Sequence, residues 1–321
     1  MKTCLVTGAS GFVGFNLAMR LLGDGHAVHV LLRTEHQPWR ITEIADHVRI
    51  HTVDMLDEEK LRQAVQAVAP DWIFHLAAYG AYSWQKDVNR ILLTNVVGTS
   101  NMIQACLETG FQAFVNAGSS SEYGLTETAP SEQAKLDPNS HYAVAKAAAA
   151  HLCRYASISE GRRIITLRLY SVYGPYEDPH RLLPAVIIRG LNNGLPTLVS
   201  PDVARDFVYI DDVVDAFLLV ASSEAQGPGE IYNVGTGTQI TIREVVATAK
   251  QAMSIDVEPA WNSMENRIWD TETWVCDNSH IRDILGWSPK FDFLTGFQRM
   301  VDWFKENPRM RRYYEAQYSQ D

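Results

Sequence analysis

The apolar positions of this chain fall into short runs that alternate with segments of helical period. Thr3-Cys4-Leu5-Val6-Thr7 reads as a buried strand. Phe15, Ala18, Leu21 and Leu22 then recur at helical spacing, ending near Gly23 and Gly25. The same pattern places strands near 27–32, 49–53, 72–76, 112–117 and 164–169, and helices near 57–69, 84–109 and 140–160. Such alternation predicts an α/β fold, a doubly wound parallel sheet with a smaller C-terminal lobe. Beyond about residue 175 the pattern loosens, with Pro175, Pro179, Pro184, Pro196 and Pro201 marking loops.

Between the first strand and helix stands Gly8-Ala9-Ser10-Gly11-Phe12-Val13-Gly14. Gly8 permits the tight turn, Gly11 lets backbone N–H groups approach a pyrophosphate, and Gly14 allows close helix–strand packing. Strand, glycine turn and helix in this order are what a dinucleotide site requires. Gly8, Ser10, Gly11, Phe12, Val13 and Gly14 are therefore candidate cofactor ligands. Residues 1–175 are expected to form the dinucleotide-binding domain, with 206–222 returning to it. The rest of 176–321 is expected to form the substrate lobe.

The end of the second strand bears on the choice of dinucleotide. An acid there accepts hydrogen bonds from the adenosine ribose and favours NAD. Here Ala27-Val28-His29-Val30-Leu31-Leu32 runs into Arg33, which can pair with a 2′-phosphate. NADP(H) is the expectation, NAD the alternative, and Arg40 a second candidate ligand.

Tyr142-Ala143-Val144-Ala145-Lys146 carries the chemistry. On a helix, residues i and i+4 share a face. A phenol with an ordinary pKa of about 10 exchanges protons poorly near neutrality, and a neighbouring ammonium is expected to lower it.

Bulk properties narrow the classes. The net charge of -10 over 321 residues disfavours nucleic-acid and membrane-surface partners. Cys4, Cys106, Cys153 and Cys276 are scattered without metal-ligand spacing, and the ten histidines show no paired-ligand motif. No metal is expected. Met1-Lys2 leads straight into a strand and no apolar run is long enough for a bilayer, so a soluble cytoplasmic protein is expected.

Further motifs follow in order: Asp54-Met55, His75-Leu76-Ala77-Ala78, Asn95-Val96-Val97-Gly98-Thr99, Gly118-Ser119-Ser120-Ser121, Arg168-Leu169-Tyr170-Ser171-Val172-Tyr173-Gly174-Pro175, Arg205-Asp206-Phe207 and Leu285-Gly286-Trp287-Ser288-Pro289. With the glycine turn and the Tyr/Lys pair, the chain resembles the extended short-chain dehydrogenase/reductases, in the branch of nucleotide-sugar epimerases, dehydratases and 4-ketoreductases. The resemblance implies Ser119, Tyr142 and Lys146 as catalytic residues. It adds Asp54, Met55, Leu76, Ala77, Ala78, Asn95, Tyr170 and Val172 to the cofactor site. Tyr79, Ser120, Ser121, Ser171, Arg181, Arg205 and Arg267 are implied for a nucleotide-diphosphate sugar, with Tyr82, Trp84 and His180 as weaker candidates. It also implies a homodimer through the helices near 84–109 and 140–160.

Within the branch, dehydratases need acids just after the catalytic hydroxyl residue, where this chain has Ser120 and Ser121. Glu122 would serve only if the loop were shifted by one residue. Arg33 and the Leu169–Pro175 motif point to NADPH-dependent reduction of an NDP-4-keto-(6-deoxy)hexose. The alternatives are an NAD-dependent 4-epimerase, then a 4,6-dehydratase, then a non-catalytic NADP(H) sensor.

Overall fold

The computed structural model describes residues 1–265 and 271–318. In chain order, β1 (Thr3–Thr7), α1 (Phe12–Gly23), β2 (Ala27–Leu32), β3 (Arg49–Thr52), α2 (Glu58–Val68), β4 (Trp72–His75), α3 (Val88–Leu92), α4 (Gly98–Thr109), β5 (Ala113–Ser119), α5 (His141–Glu160) and β6 (Ile164–Leu169) alternate. Next come β7 (Ser171–Tyr173), α6 (Leu182–Gly190), β8 (Ala204–Arg205), β9 (Phe207–Tyr209), α7 (Ile210–Ser222), β10 (Ile231–Val234), β11 (Ile240–Thr241) and α8 (Ile242–Met253). The chain closes with α9 (Ser279–Leu285), α10 (Phe293–Glu306) and α11 (Pro308–Tyr318).

Seven strands form one sheet in the order β10-β6-β5-β4-β1-β2-β3, every pair parallel. The central strands are buried nearly end to end, as a sheet covered on both faces demands. Strand order reverses between β1 and β4, where Thr7 pairs with His75. The chain therefore leaves two adjacent strands in opposite senses, opening a crevice at their C-terminal ends.

Two elements differ from the sequence pattern. The expected helix over 84–109 is α3 and α4 joined by a π turn at Leu93–Val97, which carries Asn95 inward. The segment 223–242, expected in the smaller lobe, contributes β10 to the large sheet against β6. Its four residues include a polar Asn233 and give little periodic signal; the strand is nonetheless buried throughout.

Local chemistry sets the boundaries of α5, the helix that carries Tyr142 and Lys146. Ser140 caps it by accepting from Ala143 N–H at 3.1 Å, and Gly161 ends it in the left-handed region at φ 62°. Ala143, Ala145, Ala147, Ala149 and Ala150 are buried, so the helix lies close against β5 and β6. Away from the sheet, Leu198, Val199, Val203, Ile242 and Val246 form a small separate core.

Candidate active site

The crevice at the strand reversal is shaped for a dinucleotide. Gly8 has φ +73°, and a Cβ there would lie 2.6 Å from the backbone of Leu76 and Ala77. A Cβ on Gly14 would meet the Gly8 carbonyl at 2.4 Å. Gly11 is the N-cap of α1, whose first turn holds no acid, so free N–H groups and the positive helix end face the crevice. A pyrophosphate fits such a cradle. Among the described residues the Arg33 guanidinium makes no hydrogen bond or ion pair, while its carbonyl meets His36 Nδ1 at 2.8 Å, and the residue is partly exposed beyond β2. Arg40 is buried, stacked on Trp39 at 4.0 Å, and donates to the carbonyls of Tyr176 (2.7 Å) and Ser10 (3.2 Å), the latter in the glycine turn.

A closed polar network fixes the strand β4 side. Thr99 Oγ1 donates to the Asn95 carbonyl (2.7 Å), so it accepts from Nε2–H of His75 (3.0 Å). His75 Nδ1 then accepts from Thr7 Oγ1 (2.9 Å), whose oxygen accepts the N–H groups of Leu76 and Ala77 at 3.1 Å each. Burial, with the Lys146 charge behind it, pushes the His75 pKa down to about 3, so the ring is neutral. Asn95 is spent on the backbone of Tyr79, accepting its N–H (3.0 Å) and donating to its carbonyl (2.7 Å). It shapes the loop after β4 through this bracket. Asp54 is exposed and closes a turn by accepting from Leu56 N–H (3.0 Å), while Met55 is buried below Gly98.

The serines follow β5 in a 3-10 turn, Ser120–Tyr123. Ser119 Oγ lies 2.8 Å from Ser121 Oγ and accepts from the Ser121 N–H at 3.2 Å. Tyr142 on α5 faces Ser119, Tyr82 and Arg181. The phenol does not sit below its ordinary range in the free protein. Burial pushes Tyr142 up to about 12, opposed by the Ser119 side chain. Lys146 donates to the Ala117 carbonyl at 2.5 Å, and its own pKa is lowered by burial. Glu122 is no free base: its carboxylate is buried, accepts from the Ser119 N–H (2.8 Å) and pairs with Arg168 Nε (2.7 Å).

Several substrate candidates converge around this loop. Arg181 lies over the Tyr82 ring at 5.2 Å, and Tyr82 stacks on Trp84, which meets His180 edge-on. Ser120 and Tyr170 line a small cavity with Tyr123, Pro130 and Trp274, and the Tyr170 hydroxyl is buried without a hydrogen-bond partner among the described residues. The Arg205 guanidinium lies over Trp274 at 5.2 Å, while Ser171 and Val172 sit on β7, with Ser171 N–H bound to the Asp206 carbonyl (3.0 Å). Arg267 lies outside the described residues. Asp211 and Asp212 fall in the first turn of α7, and Asp212 accepts from Lys290 and Phe291 N–H.

The buried Glu122–Arg168 pair was missed in the sequence. Its one signal is a charged Arg168 inside the apolar run Ile164–Leu169 of a central strand, which requires a buried partner.

Residues 4–235 match the NAD dependent epimerase/dehydratase family. The UDP-glucose 4-epimerase of Mycolicibacterium smegmatis is 33% identical over 316 residues, 95% of this chain and 99% of that protein. The GDP-6-deoxy-D-mannose reductase of Pseudomonas aeruginosa is 28% identical over 312 residues, 93% of this chain and 96% of that one. The crystal structure of the Thermus thermophilus UDP-glucose 4-epimerase in complex with NAD superposes with a TM-score of 0.83 at 30% identity, covering 94% and 98% of the two chains. With its seven-stranded parallel sheet and glycine turn, this chain belongs to the NAD dependent epimerase/dehydratase family, the extended short-chain dehydrogenase/reductases that act on nucleotide-sugars.

Proposed function

We propose that the chain oxidises and reduces C4 of a nucleotide-diphosphate sugar, with Ser119, Tyr142 and Lys146 as its working side chains. The observation that carries this reading is the composition of the loop after β5. It offers the Ser119, Ser120 and Ser121 hydroxyls beside Tyr142, and the one carboxylate of the Ser119–Tyr123 turn, Glu122, is occupied by Arg168 and the Ser119 N–H. That set can exchange a proton with a sugar hydroxyl or ketone. It holds no free carboxylate to serve as the base that abstracts a carbon-bound proton, which disfavours dehydration.

When bound, the nicotinamide supplies or takes up the hydride. Ser119 Oγ holds the sugar oxygen, Tyr142 gives it or takes from it a proton, and Lys146, released from Ala117, holds the nicotinamide ribose. Arg205 and Arg267 are proposed to grip the diphosphate, and Arg181 to close the sugar side. The proposed division of labour is 1–175 for the cofactor, with 206–222 and β10 beside it, and the remainder of 176–321 for the nucleotide-sugar.

Between the two C4 reactions, 4-epimerisation of a UDP-sugar with retained NAD is favoured by the 33% relative over the full chain. One observation favours a second reading, reduction of an NDP-4-keto-(6-deoxy)hexose by NADPH. Among the described residues the Arg33 guanidinium stands unpaired where an acid would mark NAD, and the 28% relative is a reductase. The test is to denature freshly purified protein, identify any released dinucleotide, and titrate the protein with NADH and NADPH. Stoichiometric NAD and interconversion of UDP-glucose with UDP-galactose support the epimerase. An exchangeable site preferring NADPH supports the reductase. A protein that binds neither dinucleotide overturns both.

A homodimer in the cytoplasm is part of the proposal. Leu92, Leu93 and Val97 on the α3–α4 segment and Val144 on α5 are exposed apolar side chains on helices that pack together. Among the described residues no helix is long and apolar enough to cross a membrane.

A further inference from the structure

We propose that Glu122 is a positioning residue for Ser119: its carboxylate fixes the backbone of the serine loop from beneath, and Arg168 fixes the carboxylate. Glu122 Oε1 accepts the Ser119 N–H at 2.8 Å, and Oε2 accepts Arg168 Nε at 2.7 Å. Arg168 Nη1 donates to the Tyr123 hydroxyl (2.8 Å), which donates to Asn233 Oδ1 (2.7 Å). Asn233 Nδ2 in turn holds the carbonyls of Pro130 (2.9 Å) and Asp277 (3.0 Å). Glu122, Arg168, Tyr123 and Asn233 are all buried. Gly118 leaves the space this needs, because a Cβ there would lie 2.8 Å from Glu122 Oε1.

A buried ion pair is a poor source of stability, since desolvating two charges offsets most of their attraction. What this one supplies is geometry. Ser119 is the last residue of β5 and the cap of the turn behind it, so a hydrogen bond to its N–H sets where its hydroxyl points relative to Tyr142. The same carboxylate acts on both neighbours of that hydroxyl, favouring the protonated forms of Tyr142 and Lys146. Tyr142 is otherwise faced by Ser119, Arg181 and Tyr82.

This inference rests on the proposed C4 chemistry, and two variants separate the two. Glu122→Gln keeps an acceptor for the Ser119 N–H. The double variant Glu122→Met/Arg168→Met removes that acceptor and leaves neither charge of the pair buried alone. Hydrogen exchange of the Ser119–Gly124 segment needs no substrate. Faster exchange confined to that segment, about tenfold or more in the double variant, is expected. Unchanged exchange, or loosening spread over the whole sheet, overturns the proposal. Kinetics with UDP-galactose is the second arm. Displacing a catalytic group by about 1 Å costs on the order of 100-fold, so kcat should fall in the order wild type, Glu122→Gln, double variant, reaching about 100-fold, with KM within about twofold. In Glu122→Gln the rate limb assigned to Tyr142 should move to lower pH. Equal kcat in all three overturns the proposal, as does failure of both variants to fold, which would make the pair a folding determinant. Inactive wild type with the exchange result intact fails the C4 reading alone.

Discussion

Lys146 Nζ donates to the Ala117 carbonyl, two residues before Ser119 on the same strand. The cation of α5 and the hydroxyl of the serine loop are thus registered against one another through β5. Among the described residues this buried ammonium has one backbone acceptor, so it is poorly satisfied, since it carries three donors. Lys146→Met should therefore fold, because it removes a costly buried charge. It should lose activity on the order of 100-fold or more and weaken dinucleotide binding, read by calorimetric titration. Full activity in a folded Lys146→Met would remove the lysine from the mechanism.

Tyr142→Phe separates chemistry from binding. It should abolish turnover while leaving the dinucleotide Kd within about twofold. The phenol, held at about 12 by burial, stays protonated across the neutral range in the free protein. A free tyrosine ionises at about 10. The folded value is raised, so the neutral phenol stabilises the fold below pH 10, and this contribution is lost as pH rises through 12. The tyrosinate absorbance titration of wild type minus Tyr142→Phe should show one step near 12. A step near 7 would mean that the unliganded site already activates the tyrosine.

The crevice was legible in the sequence because its parts are local. Gly8, Gly11 and Gly14 sit at fixed spacing beside an apolar strand, and Tyr142 and Lys146 are one helical turn apart. The electrostatics was not legible, because burial rather than the i,i+4 cation governs the Tyr142 phenol. Nor was Glu122, whose partner lies 46 residues away across β6. β10 escaped for the same reason: four residues with a polar Asn233 make a strand only because Tyr123, Pro130 and Asp277 take up its amide.

His75 makes stability fall with acid. Its folded pKa is about 3, against about 6.5 for a free histidine. Between these values the unfolded chain binds the extra proton, so stability rises with pH through the window and is lost as pH falls below 6.5. His75→Gln removes that dependence while leaving an amide between Thr7 and Thr99. The variant should be less stable at pH 7, by about 1–3 kcal/mol for imperfectly met hydroxyls. It should lose less stability than wild type between pH 6.5 and 4, measured as denaturant midpoints. Parallel pH curves would mean that His75 is not buried neutral.

The exposed apolar side chains on α3–α4 and α5 make a prediction about assembly. Leu93→Glu or Val97→Glu places a charge where a dimer interface would desolvate it. Light scattering should show a dimer for wild type and a monomer for either variant, with the dinucleotide still bound. A wild-type monomer would leave Leu92, Leu93 and Val97 as simple surface residues.

Arg33 and Arg40 should separate by which dinucleotide they affect. A charge-assisted hydrogen bond contributes about 1.5–3 kcal/mol. If Arg33 meets a 2′-phosphate, Arg33→Asp should weaken NADPH by about 10- to 100-fold and leave NADH nearly unchanged. Arg40 clips the Ser10 carbonyl of the glycine turn to the Tyr176 carbonyl, at a residue held at φ +67°. Its Nε and Nη1 serve two loops at once, a geometry that lysine's single ammonium cannot reproduce. Arg40→Lys should therefore weaken NADH and NADPH alike, by about tenfold, through a loosened cradle. A loss confined to NADPH would instead make Arg40 a ligand of the 2′-phosphate.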